Sequence, residues 1–171
     1  MRHPLVTQLR FARSEFRRGL EGVSEAEARM RFLPMNCISW NVGHLSWQEQ
    51  RYWLTLAHAD TPYPELNERF AFGAPASTPD LDEMWRCWNE VSVRADRWLD
   101  TATTEMLAGE VVVPGRQDTR TLGSLLLRLT YHYWYHTGEN AAIRQQLGHT
   151  GLPDFVGNLD TEAPYQPESA P

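Results

Sequence analysis

Residues 121–148 read TLGSLLLRLTYHYWYHTGENAAIRQQLG, and this segment decides the fold of the chain. Its apolar residues recur at the three- and four-residue spacing of one helical face, which predicts a single long amphipathic helix. Thr121 can cap the first turn of this helix, and Gly148 can end the last turn. At about 1.5 Å per residue the helix is roughly 40 Å long, enough to span a small domain. The apolar face consists of Leu122, Leu125, Leu126, Leu129, Tyr133, Ile143 and Leu147.

Two histidines, His132 and His136, lie within this apolar face, four residues apart. Side chains at that spacing project one turn above each other, so both rings can reach one metal ion at about 2.1 Å. A core histidine with an ordinary hydrogen-bond partner is the alternative interpretation of either residue. His44, in the segment WNVGHLSW of another predicted helix, is the candidate third ligand. Because position 133 is tyrosine, the pair is not an H-E-x-x-H motif, and zincin peptidase chemistry is disfavoured.

Three further segments have helical apolar spacing, so the chain is predicted to be all-α, a four-helix bundle. Ser39 and Thr78 are the expected N-caps of the second and third helices. A long crossover rich in Pro and Gly joins these two helices, and a connector around Pro114 and Gly115 precedes the fourth. We expect residues 1–171 to form a single domain whose Pro-rich tail is irregular from about residue 149. The first three helices are predicted at residues 4–20, 40–59 and 79–102, the crossover at 60–77 and the connector at 110–120.

The composition predicts a globular cytoplasmic protein. The chain has 171 residues with a net charge of −6 and 42% hydrophobic residues. It lacks both a signal-peptide pattern and an apolar run of about 20 residues, so we expect no membrane segment. Its 16 basic residues are all arginines and are scattered along the chain, which argues against a nucleic-acid partner. The two cysteines, Cys37 and Cys87, have no metal-type or disulfide spacing and are expected to be buried thiols.

Two motifs resemble those of a known family. The pattern W-N-x-G-H-L-x-W-x-E starts at Trp40, and H-x-x-x-H-x-G-E-x-x-x-x-R-x-x-L-G starts at His132. Both are similar to the DinB-like superfamily of damage-inducible four-helix bundles, and the resemblance extends over roughly residues 4–148. The segment from Trp40 to Trp47 is also similar to the amino-terminal domain of ergothioneine-biosynthesis sulfoxide synthases. The superfamily name implies neither polymerase activity nor DNA binding.

The resemblance implies a three-histidine metal site with His44, His132 and His136 as ligands. Zinc is the first candidate for the divalent ion, with nickel or iron as alternatives. Characterised relatives include homodimeric S-transferases and isomerases that use mycothiol, bacillithiol or glutathione. The expected partners are therefore a small-molecule thiol, an electrophile and a second copy of the chain. A metal-dependent hydrolase and a non-catalytic metal-binding stress-response bundle are the alternatives, and no catalytic residue is assigned.

Two charged residues lie close to the proposed ligands. Glu139 follows His136 by one turn and could orient a ligand by hydrogen bonding, or it could pair with a surface arginine. Arg51 lies two turns after His44 and could meet an anionic substrate, or its charge could reach water at the end of the bundle. Because imidazole must be neutral to bind a metal, affinity is expected to fall below a pH of about 6.5.

Apolar residues on further faces of the second and fourth helices predict a homodimer interface. One bundle core is not expected to absorb all of them. The aromatic residues of the fourth helix are expected to point away from the histidines, into core or dimer packing. The residues concerned are Val42, Leu45, Trp53 and Leu56 on the second helix, and Tyr131, Trp134 and Tyr135 on the fourth.

Overall fold

The computed structural model describes residues 2–56, 59–112, 119–154 and 156–167 of the chain. Helices dominate these residues, and the predicted all-α four-helix fold is confirmed. None of the helices in the described residues has the length and apolar character needed to cross a bilayer. The elements are α1 Pro4–Arg18, α2 Glu25–Ala28, α3 Ile38–Gln50, α4 Leu66–Phe70, α5 Leu81–Leu99, α6 Thr104–Ala108, β1 Glu110–Val112, β2 Thr119–Thr121, α7 Leu122–Gln146 and α8 Leu159–Glu162; the π-helical turn Arg51–Thr55 continues α3.

The bundle is built around α3, which packs against both α5 and α7, while α1 packs against α7. Every residue of α3 is buried. Gly43 permits the closest contact, because a Cβ atom at this position would lie 2.7 Å from Met84 Sδ and 2.8 Å from Phe70 Cε1. A side chain larger than hydrogen would therefore push α3 away from its neighbours, and the helix carries His44 at the next position.

The predicted ends of α7 are confirmed. The Thr121 hydroxyl accepts a hydrogen bond from the Ser124 amide at 3.2 Å, which satisfies one of the open amides of the first turn. At the other end Gly148 has φ +85°. This left-handed conformation lets the amides of Gly148 and His149 bond to carbonyls of the last helical turn, which closes a Schellman motif.

The predicted caps of the second and third helices are wrong. Helix α3 begins one residue before Ser39, and Cys37 at its N-cap position makes no side-chain cap hydrogen bond. Helix α5 begins at Leu81 rather than near Thr78, because the Asp80 carboxylate accepts the amide three residues later at 2.8 Å. A carboxylate also interacts favourably with the positive end of the helix dipole, which a threonine hydroxyl does not.

The crossover and the connector are more ordered than the sequence predicted. Helix α4 lies within the crossover and packs on α3, with Leu66 and Phe70 fully buried. In the connector, β1 and β2 pair as antiparallel strands, with Val111 opposite Arg120. The turn predicted around Pro114 and Gly115 lies outside the described residues.

The tail after α7 is largely irregular, and it is bound to α1. The Gly157 amide donates to the Glu15 carboxylate at 2.6 Å, and Gln8 donates to the Ala163 carbonyl at 2.8 Å. Ala163 is fully buried, and α8 supplies one short helical turn just before it. The tail therefore covers one side of α1, although its sequence contains little helical periodicity.

A buried polar network centred on an ion pair connects four of the bundle helices. The Arg13 guanidinium of α1 makes a bidentate ion pair with the Glu49 carboxylate of α3, with both N–O distances 2.6 Å. The Tyr133 hydroxyl of α7 donates to the same carboxylate at 2.9 Å and accepts from the Trp88 indole of α5 at 2.8 Å. Glu49 is fully buried, and the Arg13 side chain is 5% exposed. All four helices are therefore joined through one set of polar contacts.

The apolar surface that predicted a dimer is covered within the chain for most of α3. Val42 and Leu45 are fully buried, and Trp53 is 1% exposed because its ring stacks on Trp98 of α5 at 5.2 Å. The argument for a dimer interface from α3 is therefore wrong. Of the aromatic residues of α7, Tyr131 and Tyr135 remain largely exposed, and the homodimer stays a prediction.

Candidate metal centre

The bundle brings together the three histidines that the sequence singled out. His44 comes from α3, and His132 and His136 come from α7. Their candidate ligand nitrogens all lie within 4.8 Å of one another. The two Nε2 atoms of the α7 pair are 2.9 Å apart. His44 and His136 are each 5% exposed, so the cluster faces the bundle interior rather than solvent.

Hydrogen bonds fix the orientation of two of the rings. The Phe70 carbonyl of α4 contacts His44 Nδ1, and since a carbonyl only accepts, Nδ1 carries the proton. His136 Nδ1 donates in the same way to the Glu139 carboxylate at 2.7 Å. Each ring therefore presents an Nε2 lone pair to the cluster. Asn41 donates to Glu139 at 3.1 Å, so the carboxylate is itself held by α3.

The surroundings keep two of the imidazoles neutral. Burial lowers the pKa of His44 to about 4. Burial, together with the neighbouring His136, His44 and Arg128, lowers the pKa of His132 to about 3. The His44 ring also stacks between two indoles, at centroid distances of 4.8 Å from Trp40 and 5.3 Å from Trp47. Metal affinity is therefore expected to resist acid further than the ordinary histidine pKa of about 6.5 implies.

The donor set fits a divalent transition ion. Three imidazole nitrogens suit zinc, nickel and iron, and hydrogen bonds from Nδ1 to a carbonyl or a carboxylate are typical of histidine ligands. His132 Nδ1 is buried and has no hydrogen-bond partner in the described part of the chain. Close packing of two Nε2 atoms in a buried site is easier to account for when both lone pairs point to one cation.

A large cavity opens beside the histidines. It has a volume of about 830 Å³, and His44 and His132 form part of its wall. Its other walls contain arginine and aromatic side chains, and no aspartate or glutamate of the described residues lines it. The residues that matter for the chemistry are Arg51, Arg120, Arg128, Tyr131, Tyr135 and Phe72.

The structure places the remaining predicted residues as follows. Glu139 contacts His136, and Arg51 lines the cavity with its guanidinium carbon 5.3 Å from the centre of the Trp47 ring. The expectation for the tyrosines of α7 is wrong, because Tyr131 and Tyr135 line the cavity beside His132. Trp134 does point elsewhere and packs on Phe11 of α1 at 6.1 Å.

Neither cysteine belongs to this site. Cys37 is fully buried and contacts the Ser77 carbonyl at 3.4 Å, on the far side of the crossover. Burial raises the pKa of the Cys87 thiol to about 11. Neither side chain lines the cavity, so neither thiol is placed to act as a nucleophile there.

Sequence reasoning missed three contributors to the site. Asn41 precedes His44 by three residues and Arg128 precedes His132 by four, so helical spacing alone would have placed both near the ligands. The contact of the Phe70 carbonyl could not be predicted in this way. Phe70 lies on α4, in a segment predicted to be an irregular crossover, and a backbone carbonyl does not depend on the type of its side chain.

Comparison with known proteins agrees with this fold. A family model described as the DinB superfamily matches residues 8–139, more than half of the chain. A crystal structure of a conserved protein from Enterococcus faecalis is similar at a TM-score of 0.67 and 15% identity, over 87% of this chain and 99% of that one. At this identity the likeness supports the fold alone. No curated protein sequence matches the chain.

Proposed function

The chain belongs to the DinB superfamily, and from that premise we propose that it is a metal-dependent enzyme that transfers a low-molecular-weight thiol to a small electrophile. The ligands in this proposal are His44, His132 and His136, and zinc is the first candidate ion, ahead of nickel and iron. One observation carries the proposal: three imidazoles, two of them buried and one partly buried, converge beside a cavity of about 830 Å³ that His44 and His132 line. A purely structural ion would be enclosed on all sides, whereas three protein ligands beside an open space are typical of catalytic sites.

The residues around the cluster have separable tasks. Phe70 and Glu139 hold two rings in the tautomer that presents Nε2. The cavity gives a substrate access to the histidines, and its aromatic side chains exclude water from the apolar part of that substrate. A bound divalent ion would supply Lewis acidity at the open side of the site, which lowers the pKa of a thiol there.

Thiol transfer suits the lining better than hydrolysis does. Hydrolysis is assisted by a residue that accepts a proton from the attacking water, and no carboxylate of the described residues lines the cavity. Glu139 is already engaged by His136 and Asn41. In thiol transfer the thiol proton goes to solvent, the sulfur forms a bond to the electrophilic carbon, and the leaving group departs with the bonding electron pair. Because both cysteines lie outside the cavity, the sulfur comes from a bound thiol.

Metal analysis of the purified protein tests the ligand set first. We expect about one divalent ion per chain, and the double variant His132→Ala/His136→Ala should lose it. The matched control is His3→Asn, because His3 lies at the N-cap of α1, outside the cluster, and asparagine preserves the cap. Full metal content in the double variant would exclude the site, and helical circular dichroism establishes that each variant is folded.

A thiol-transfer screen then tests the reaction. Glutathione, mycothiol and bacillithiol are each combined with a chromogenic aryl halide, and thiol-dependent turnover is followed with and without a chelator. We expect His44→Ala to abolish turnover, and Cys37→Ser and Cys87→Ser to retain most of it. Ester turnover that needs the metal and no thiol would instead indicate a hydrolase. A metal-loaded protein that is inactive in both assays would favour the non-catalytic bundle.

A further inference from the structure

Three arginines converge on the cavity beside the metal centre. Arg51 lies on the π-helical turn after α3, Arg120 on β2, and Arg128 on α7 one turn before His132. They come from three elements, of which β2 and α7 follow each other directly in the chain, whereas the π-helical turn is distant in sequence. The chain as a whole has a net charge of −6, yet no carboxylate of the described residues lines this cavity. Three guanidinium groups at one cavity favour the approach of an anion.

All three arginines line the same cavity as His44 and His132. The Arg51 guanidinium lies 5.3 Å from the centre of the Trp47 ring, and Trp47 in turn stacks on His44 at 5.3 Å. This contact restrains a long side chain before any ligand binds, which reduces the entropy lost on binding. Arg128 precedes His132 by four residues on α7, so the two side chains lie on the same face of the helix.

The rest of the lining accepts a flat apolar group. Trp47, Tyr131 and Tyr135 line the cavity, and Phe72 lies at it with a side chain that is 92% exposed. The guanidinium group binds carboxylates in a bidentate manner, and aromatic rings pack well on flat apolar groups. The cavity volume of about 830 Å³ is also within the range of small-molecule pockets, roughly 300–1,000 Å³.

The geometry points to a carboxylate-binding subsite formed by Arg51, Arg120 and Arg128, which orients a small acid with a flat apolar body toward the three histidines. This inference rests on the proposed function, because it assigns the substrate class of the same site. The carboxylate can belong to the electrophile or to the thiol, and both sources present the same group to the arginines. Arg120 borders the cavity from the β-hairpin, so the hairpin contributes to recognition as well as to the connection between α6 and α7.

The subsite is tested by titrating the full-length protein with benzoate and with its uncharged analogue benzamide. Binding is measured from the change in tryptophan fluorescence. The titration is made with metal-loaded and with metal-free protein. We expect benzoate to bind at least about tenfold more tightly than benzamide in both forms, and less tightly as salt increases. Arg128→Gln and Arg51→Gln should each weaken benzoate about tenfold and leave benzamide unchanged. Arg97→Gln is the matched control, because Arg97 is exposed on α5 and does not line the cavity.

Equal affinities for benzoate and benzamide would overturn the inference, and so would benzoate affinity that neither cavity variant changes. Metal content, measured on the same samples, separates this result from failure of the metal centre. Benzoate binding that disappears with the metal but survives both arginine substitutions would mean that the carboxylate binds the ion; this outcome overturns the subsite and leaves the proposed function intact. Benzoate binding that persists in His132→Ala/His136→Ala supports the subsite independently of the metal.

Competition with two thiols assigns the source of the carboxylate. Glutathione carries carboxylates and cysteamine carries none. Displacement of benzoate by glutathione alone supports a subsite for the thiol. If neither thiol displaces benzoate from a protein that passes the first test, the subsite belongs to the electrophile.

Discussion

Replacing Glu49 by glutamine should destabilise the bundle more than any conservative change to a surface ion pair. The Glu49 carboxylate accepts three hydrogen bonds, two from Arg13 at 2.6 Å and one from Tyr133 at 2.9 Å. Glutamine has nearly the same shape, but its amide group would place a donor against a guanidinium donor. The variant therefore loses one charge-assisted hydrogen bond, worth about 1.5–3 kcal/mol, and leaves a buried cation without its main partner.

The size of the effect follows from the burial of the pair. Removal of one partner of a fully buried ion pair costs about 3–5 kcal/mol. Asp96 still contacts Arg13 at 2.7 Å and is partly exposed, so some charge compensation remains. We therefore expect the free energy of unfolding to fall by about 3 kcal/mol, at the lower end of that range. For a chain of this size such a loss lowers the melting temperature by about 6–12 °C.

Urea unfolding of the metal-free protein, followed by tryptophan fluorescence, measures this change without the stabilising contribution of a bound ion. Arg29→Gln is the control, because Arg29 pairs with Glu25 at 3.5 Å and both side chains are more than 40% exposed. It should cost less than about 0.5 kcal/mol. The double variant Arg13→Met/Glu49→Leu should recover most of the lost stability, since it removes both buried charges together. A Glu49→Gln midpoint no lower than that of Arg29→Gln would refute the reasoning.

Three further outcomes are expected. Gly43→Ala should lower the free energy of unfolding by about 1–3 kcal/mol in urea titrations, because the added methyl group would clash with Met84 and Phe70. An unchanged urea midpoint would contradict this close contact. Glu139→Gln should weaken metal affinity about 10–100-fold in a competition titration with a chromogenic chelator, whereas unchanged affinity would mean that Glu139 does not orient His136. The free energy of unfolding of the metal-free protein should fall as the pH drops from about 6.5 toward 5. In this range the histidines of the unfolded chain become protonated. In the folded protein His44, with a pKa of about 4, and His132, with a pKa of about 3, stay neutral. Unfolding titrations across that range should show a smaller fall in His44→Asn, and a flat profile in the parent protein would contradict the burial of these rings.

The sequence predicted what depends on helical spacing. In α7 the apolar residues, the cap at Thr121 and the left-handed Gly148 all agree with the structure, because each acts through neighbours within a few residues. The approach of His44 to the pair on α7 needed one further assumption, that α3 and α7 are neighbours. That assumption holds because α3 is buried along its whole length and packs against both α5 and α7.

Features that depend on which element covers which surface were not predictable. A helical wheel cannot show that Trp98 covers Trp53, so the apolar residues of α3 suggested an interface between subunits. Helix α4 was not predicted because it buries only two residues, Leu66 and Phe70, which is too few to give a recognisable helical pattern. Its consequence for the site is large, since the Phe70 carbonyl determines which nitrogen of His44 faces the cluster.

The cationic lining of the cavity shows the same limit for Arg120, whereas helical spacing is enough to place Arg51 and Arg128 near the histidines. Glu139, which holds His136, lies one turn from it on α7. Arg51 and Arg120 instead reach the cavity from a π-helical turn and from a strand, and neither element belongs to the regular part of the bundle. Irregular turns of this kind often occur at functional sites. Substitutions at such peripheral positions change the charge of the cavity without disturbing the packing of α3 against α7. The charge of the cavity can therefore vary without a change in the arrangement of the three histidines.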